Sequence, residues 1–127
     1  MQIKIPRYIS EGVKQPNGWL FDTDSMRNAL TKAVESNSFV VYDYSEKEIN
    51  KNIKSTEPMS LHDQIGILTN FDNDFIYVNV YDEYNFSFVD PVALISIEIR
   101  DCQEFEDYTL YFVEEIYKID IAERAEL

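Results

Sequence analysis

From Gln64 onward the chain is written largely with a period of two. Ile76, Val78 and Val80 alternate with Phe75, Tyr77, Asn79 and Tyr81, and Ile95, Ile97 and Ile99 alternate with Ser96, Glu98 and Arg100. Successive side chains of a strand point to opposite faces, so each stretch predicts one buried face and one wet face. Ile65, Ile67 and Thr69 repeat the pattern against Gln64, Gly66 and Leu68, and Leu110–Val113 reads as a further strand. Tyr117, Ile119 and Ile121 extend it to the end, with a terminal helix over 114–127 as the other reading. Polar turns separate these runs at Asn70–Asp74 and Asp82–Asn85, Asp90-Pro91 breaks the ladder, and Asp101–Asp107 reads as an acidic connection. Five or six short strands joined this way predict an antiparallel meander or small barrel.

The first half is written differently. Ile3 and Ile5 suggest a short strand, Pro16-Asn17-Gly18 a turn, and Trp19-Leu20-Phe21 a core triplet. Asp24 reads as the N-cap of a helix whose buried face is Met26, Ala29, Leu30, Ala33 and Val34, with Asn37 as its left-handed stop. Phe39–Tyr44 is a β-branched and aromatic run, expected to be a strand buried on both faces. Ser45 and Glu48 form a capping-box pattern ahead of a short helix through Ile49 and Ile53, and Ser55–Pro58 closes the region. The expected fold is therefore α+β: a small N-terminal αβ portion with one or two short helices packed on the C-terminal β portion. At 127 residues the chain buries roughly 65–70% of its unfolded surface, enough for one core. We expect a single domain over 1–127, with a sub-boundary near 55–62 dividing 1–54 from 63–127.

Charge follows the same division. Residues 1–62 hold 8 basic and 8 acidic side chains, while residues 63–127 hold 3 basic and 16 acidic, so the net charge of −13 lies wholly in the second part. A surface of that sign repels phosphates, which excludes direct electrostatic nucleic-acid binding and disfavours anionic membranes. Cys102 is the one cysteine, so no intrachain disulfide forms and a cytoplasmic location is expected. No signal peptide, membrane span or lipidation signal is read from the sequence.

Catalytic signatures are weak. His62, the one histidine, neighbours Asp63, and adjacent side chains diverge rather than form a dyad. Cys102 sits among Asp101, Glu104, Glu106 and Asp107, which suppress its thiolate. Carboxylates are too numerous to single out an acid/base pair. Phe71-Asp72-Asn73-Asp74 resembles the start of a calcium loop, but counting from Asp72 the fifth, sixth and twelfth places hold Ile76, Tyr77 and Glu83, and only the last fits. Gly12, Gly18 and Gly66 are scattered, so no phosphate-cradling loop is expected. The expectation is a non-enzymatic protein with no metal and no cofactor.

What remains is the acidic half. Same-face residues of a strand repeat at roughly 6.6–6.8 Å, so carboxylates on strands and turns can present a row of negative charge akin to a nucleic-acid backbone. The candidate partner-binding surface comprises Asp72, Asp74, Asp82, Glu83, Asp90, Glu98, Asp101, Glu104, Glu106, Asp107, Glu114 and Glu115, with Tyr81, Tyr84 and Tyr108 as adjoining contacts or core edges. In size and charge alone, with no motif, the chain resembles phage-borne anti-CRISPR and anti-restriction proteins and the immunity proteins of nuclease toxins. That resemblance implies a basic protein partner, such as a nuclease or other nucleic-acid-binding protein. Usage of Ile, Asn, Lys, Tyr and Phe fits an AT-rich coding sequence. The competing expectation is a structural or adaptor component of a larger phage or bacterial assembly, joined through edge strands or apolar patches, and self-association is left open.

Overall fold

The period-two stretches do form strands, but the first half of the chain is woven between them. A computed structural model describes residues 1–44 and 64–127. The expected capping box at Ser45, the short helix through Ile49 and Ile53, the closure at Ser55–Pro58, and His62 and Asp63 lie outside the described residues. The strands are β1 (Gln2–Pro6), β2 (Trp19–Phe21), β3 (Val40–Asp43), β4 (Gln64–Phe71), β5 (Phe75–Val80), β6 (Pro91–Glu104) and β7 (Thr109–Glu123). Between β2 and β3 runs the helix α1 (Thr23–Glu35), and a 3-10 turn (Arg124–Glu126) follows β7.

The fold class is α+β, one described helix with a seven-stranded mixed sheet in the order β1-β5-β4-β3-β7-β2, with β6 also on β7. Tyr111 pairs with Phe21 of β2 and with Cys102 of β6, and Ile119 pairs with Val41 of β3 and with Ile95 of β6. Hence β2 and β3 share one edge of β7 end to end, both parallel to it, while β6 runs antiparallel along the other edge.

This corrects two expectations. The second half is not a meander with an αβ portion packed on it: β1 pairs with β5, and β3 lies between β4 and β7. Val41 is fully buried, and the strand that carries it needs a ladder on each side. Nor is the sheet a barrel. It curls until Arg7 forms a single bridge to Ala93 of β6, with the Tyr8 N–H donating to the Ala93 carbonyl at 3.0 Å. The chain then leaves that edge to run beside β2, where the Gly12 and Gln15 N–H groups donate to the Phe21 and Trp19 carbonyls at 2.9 and 2.8 Å. The sheet stays open for that reason.

The helix follows its periodicity. Met26, Ala29, Leu30 and Ala33 are buried, and Asn37 takes a φ of 55° as the stop. Its cap is Asp22 rather than Asp24: the Asp22 carboxylate accepts the Ser25 N–H at 2.9 Å, and Asp24 lies in the first turn, where negative charge favours the helix dipole. Between the stretches of β7 covered by β2 and β3, α1 supplies the partner instead. Ser25 is buried, and its hydroxyl oxygen accepts the Val113 N–H at 3.0 Å.

The core joins the helix to Ile5, Val41, Ile65, Leu68, Ile76, Val78, Ile119 and Ile121, each at most 1% exposed. Burial of such a side chain contributes roughly 1.5–3 kcal/mol. Gly66 allows β4 to approach β5 closely: a Cβ there would collide with the Asn79 carbonyl oxygen. Of the apolar triplet, only Phe21 is buried; Trp19 is 46% exposed, because β2 is a short edge strand and the Trp19 ring packs edge-on against Tyr111 at 5.5 Å. Along Phe39–Tyr44, only Val41 is fully buried and the rest are half-buried.

Three bulges break the β6–β7 register. The steps from Ser96↔Lys118 to Ile97↔Ile116, from Glu98↔Glu115 to Ile99↔Val113, and on to Asp101↔Phe112 leave Tyr117, Glu114 and Arg100 as extra residues. The first bulge overturns the alternation read through Tyr117: Ile116 faces the core and Tyr117 is exposed. The segment read as either strand or helix is strand to Glu123. The acidic connection at Asp101–Asp107 shrinks to a short hairpin, because β6 continues to Glu104. Pro91 opens β6 as its first residue, where no ladder donor is lost.

Candidate functional site

Glu98, Asp101, Glu104, Glu106, Asp107, Glu114 and Glu115 share one end of the β6–β7 ribbon, where β2 lies along the other edge of β7 at Thr109–Tyr111. Every residue from Glu98 to Asp107 is exposed, although the β7 residues they pair with stay on the core, Val113 buried and Tyr111 packed against it. At its tip the Phe105 N–H donates to the Tyr108 carbonyl at 2.8 Å, and the Phe105 and Tyr108 rings stack with centroids 4.6 Å apart. Tyr108 thus adjoins Glu106 and Asp107. Glu98 pairs directly with Glu115, on the pleat opposite to the Ile97–Ile116 pair. From Glu98 to Tyr117 the only basic residue is Arg100. Among the described residues none of these seven carboxylates forms an ion pair. The Asp101 carboxylate accepts the N–H of Cys102, which is exposed.

The other candidates lie elsewhere and are largely committed to structure. Asp72 organises the β4–β5 turn: one carboxylate oxygen accepts the Asp74 and Phe75 N–H groups at 2.9 and 2.8 Å, and the other accepts the Tyr77 hydroxyl at 2.8 Å. The Asp74 N–H, the Tyr77 hydroxyl and the Phe75 N–H hold its carboxyl below the ordinary range, and Tyr77 is raised in turn by the same bond. Asp74 donates its N–H to that bond, and its carbonyl accepts the Arg7 N–H at 2.7 Å.

Arg7 clasps this turn from below. Its guanidinium donates to the Asp72 carbonyl at 2.9 Å and to the Asn73 carbonyl at 3.3 Å, and Arg27 reaches the Asn73 side chain. Both arginines bind Glu11, whose side chain is 2% exposed. Burial pushes the Glu11 carboxyl up, but the Arg7 hydrogen bond, its own backbone N–H, the Arg7 charge and the Arg27 bond outweigh that and hold it low.

Asp82 and Glu83 occupy the exposed turn after β5, where the Tyr84 N–H donates to the Tyr81 carbonyl at 3.0 Å. Tyr84 itself packs against the core and donates its hydroxyl to Asp43 at 3.0 Å. Tyr81 is half-buried at the end of β5. Asp90 lies 3.5 Å from Arg124, and the Glu123 carboxylate accepts the Val89 and Asp90 N–H groups at 2.7 and 2.9 Å. Asp90 precedes the 14-residue β6 and Glu104 ends it, so the two stand at opposite ends of that strand. The candidate carboxylates therefore form one ribbon group and three separate turns.

Two features were not read from the sequence. Asp120 is buried on β7, with Lys118 Nζ 3.4 Å from an oxygen that has no hydrogen-bond partner. Burial raises its carboxyl, Lys118 opposes the rise and the Asp43 charge adds to it. Its place in the alternating run is the one available signal, since a polar residue between Ile119 and Ile121 is expected outside. The second is an apolar cavity of about 260 Å³ between Tyr8, Trp19, Phe21, Met26, Ile95 and Ile97. Its walls come from two separated parts of the chain, residues 8–26 and 94–97, so no local pattern announces it. Among the described residues, no three His, Cys, Asp or Glu side chains converge as metal ligands.

Compared with protein families, with curated proteins and with solved structures, the chain matches none.

Proposed function

We propose that this protein binds a basic nucleic-acid-handling protein, of the nuclease, CRISPR or restriction kind, through the acidic arm of the β6–β7 ribbon. By occupying the partner's nucleic-acid groove it inhibits or regulates that partner, without catalysis or cofactor, in the cytoplasm and on a phage-encoded footing. The observation that carries this reading is the Glu98–Glu115 pair within a stretch, residues 98–117, of seven carboxylates and one arginine. Like charges directly opposite each other destabilise a ladder. A basic groove that has evolved to release counterions from a phosphate backbone would offset that cost. Long-range attraction would also speed the encounter. Asp72 and Asp90 drop out of the interface in this reading, because their carboxylates already serve the turn and Arg124.

A second reading, a structural or adaptor component, is favoured by the outer edge of β6. Beyond the bridge at Ala93, residues 94–104 pair only with β7 among the described residues, leaving a ladder edge that a partner strand could extend. The experiment is affinity capture from a bacterial lysate with the tagged protein, washed in parallel at low and moderate salt. A basic nucleic-acid protein released as salt rises supports the first reading. A salt-resistant assembly component, or the protein itself, supports the second.

A further inference from the structure

The cavity framed by Tyr8, Trp19, Phe21, Met26, Ile95 and Ile97 exists because the sheet curls without closing. Arg7 and Tyr8 fasten the segment after β1 to Ala93, and the chain then crosses to β2, leaving a hollow over the inner face of β6. We propose that this hollow is a binding site for a small, uncharged aromatic molecule of the size of two fused rings. An enclosed apolar cavity of about 150 Å³ takes up benzene; this hollow, open to solvent on one side, has about 260 Å³, room for a larger ring system. The ring systems of Trp19, Tyr8 and Phe21 offer aromatic faces and edges, and Met26 adds a polarizable sulfur. Trp19 and Tyr8 are 46% and 51% exposed, so the hollow is reached from solvent past them.

Charge selects the ligand further. The one ionised side chain in the wall is Glu11, and both its oxygens are taken, one by Arg7 and one shared between Arg7 and Arg27. A cation entering would lose its hydration and find no free acceptor there. An anion would lose its hydration on entering an apolar hollow and would meet the −13 charge of the chain on approach. A neutral ring system meets neither penalty. The site is independent of the partner proposed for the ribbon arm, since none of the seven ribbon carboxylates lines it.

The test is a titration of the isotope-labelled protein with indole, followed in two-dimensional amide spectra. Saturable shifts are expected at the Trp19 ring N–H and at the backbone of residues 8–11 and 94–97. Naphthalene-2-carboxylate, of similar size but charged, is expected to bind at least tenfold more weakly. Ile97→Trp and Leu94→Trp place a large ring in the hollow and should abolish the shifts, read in whichever variant keeps the wild-type spectral dispersion. Absence of saturable shifts, equal affinity for the anion, or undiminished binding in a folded filled variant overturns the proposal, and the first two need no variant.

Discussion

Glu98 and Glu115 are cross-strand partners on the exposed part of the β6–β7 ribbon, two like charges in direct register. Their neighbours along the ladder, Ile97 and Ile116, face the interior, so the pleat holds both glutamates on the opposite face. Replacing one by a cation should turn repulsion into attraction. Glu115→Lys is expected to raise stability by about 0.5 kcal/mol, within the range of cross-strand charge pairs, and the melting temperature by a few degrees. Thermal unfolding at low salt reads the gain, which should fade as salt screens the pair. An unchanged or lower melting temperature at low salt would contradict the pairing.

Ser25 is the point where the helix completes the sheet. Ser25→Ala removes the acceptor of the buried Val113 N–H and should cost about 1–3 kcal/mol, the penalty of an unsatisfied buried donor. Urea unfolding monitored by circular dichroism measures it through a shift in midpoint at constant slope. A loss below a few tenths of a kcal/mol would mean that another group or water takes the N–H.

Acid titration separates two buried carboxyl groups shifted in opposite directions. The Glu11 value is lowered in the fold from an ordinary 4.5, so its contribution is present above that pH and is lost as pH falls through the folded value. Glu11→Gln should therefore destabilise at pH 7 and lose its effect in strong acid. The Asp120 value is raised from 3.8, so the wild type is favoured below that pH and loses this contribution as pH rises through the folded value. Asp120→Asn should remove that dependence, so the variant gains relative to wild type between acid and neutral pH. Unfolding free energies at a series of pH values test both, and parallel curves for wild type and either variant would contradict the assignment.

The parts of the fold that were legible in the sequence are those fixed by local repetition. Met26, Ala29, Leu30 and Ala33 mark the helix face and Asn37 its end, and Ile76, Val78 and Val80 mark the inner face of β5. What escaped reading depends on pairing between distant segments. The parallel ladders of β2 and β3 on β7 have no local signature, and a bulge at Tyr117 reverses a side chain that strict alternation places inside. Asp72 shows the limit for the candidate surface. Its composition context announces a turn, but that its carboxylate is bound to two N–H groups and a tyrosine hydroxyl follows only from the geometry. The carboxylates from Glu98 to Asp107 kept their exposed character because β6 is the outer strand there and, among the described residues, pairs only with β7.

The central claim is that the ribbon arm holds its charge for a basic partner. The most direct measurement compares lysate capture by the wild type and by the Glu104→Lys, Glu106→Lys, Asp107→Lys triple variant at low salt, with circular dichroism confirming that both are folded. The account predicts that a basic nucleic-acid protein held by the wild type and released at moderate salt is lost from the variant. Undiminished capture of the same protein by the folded variant would contradict it.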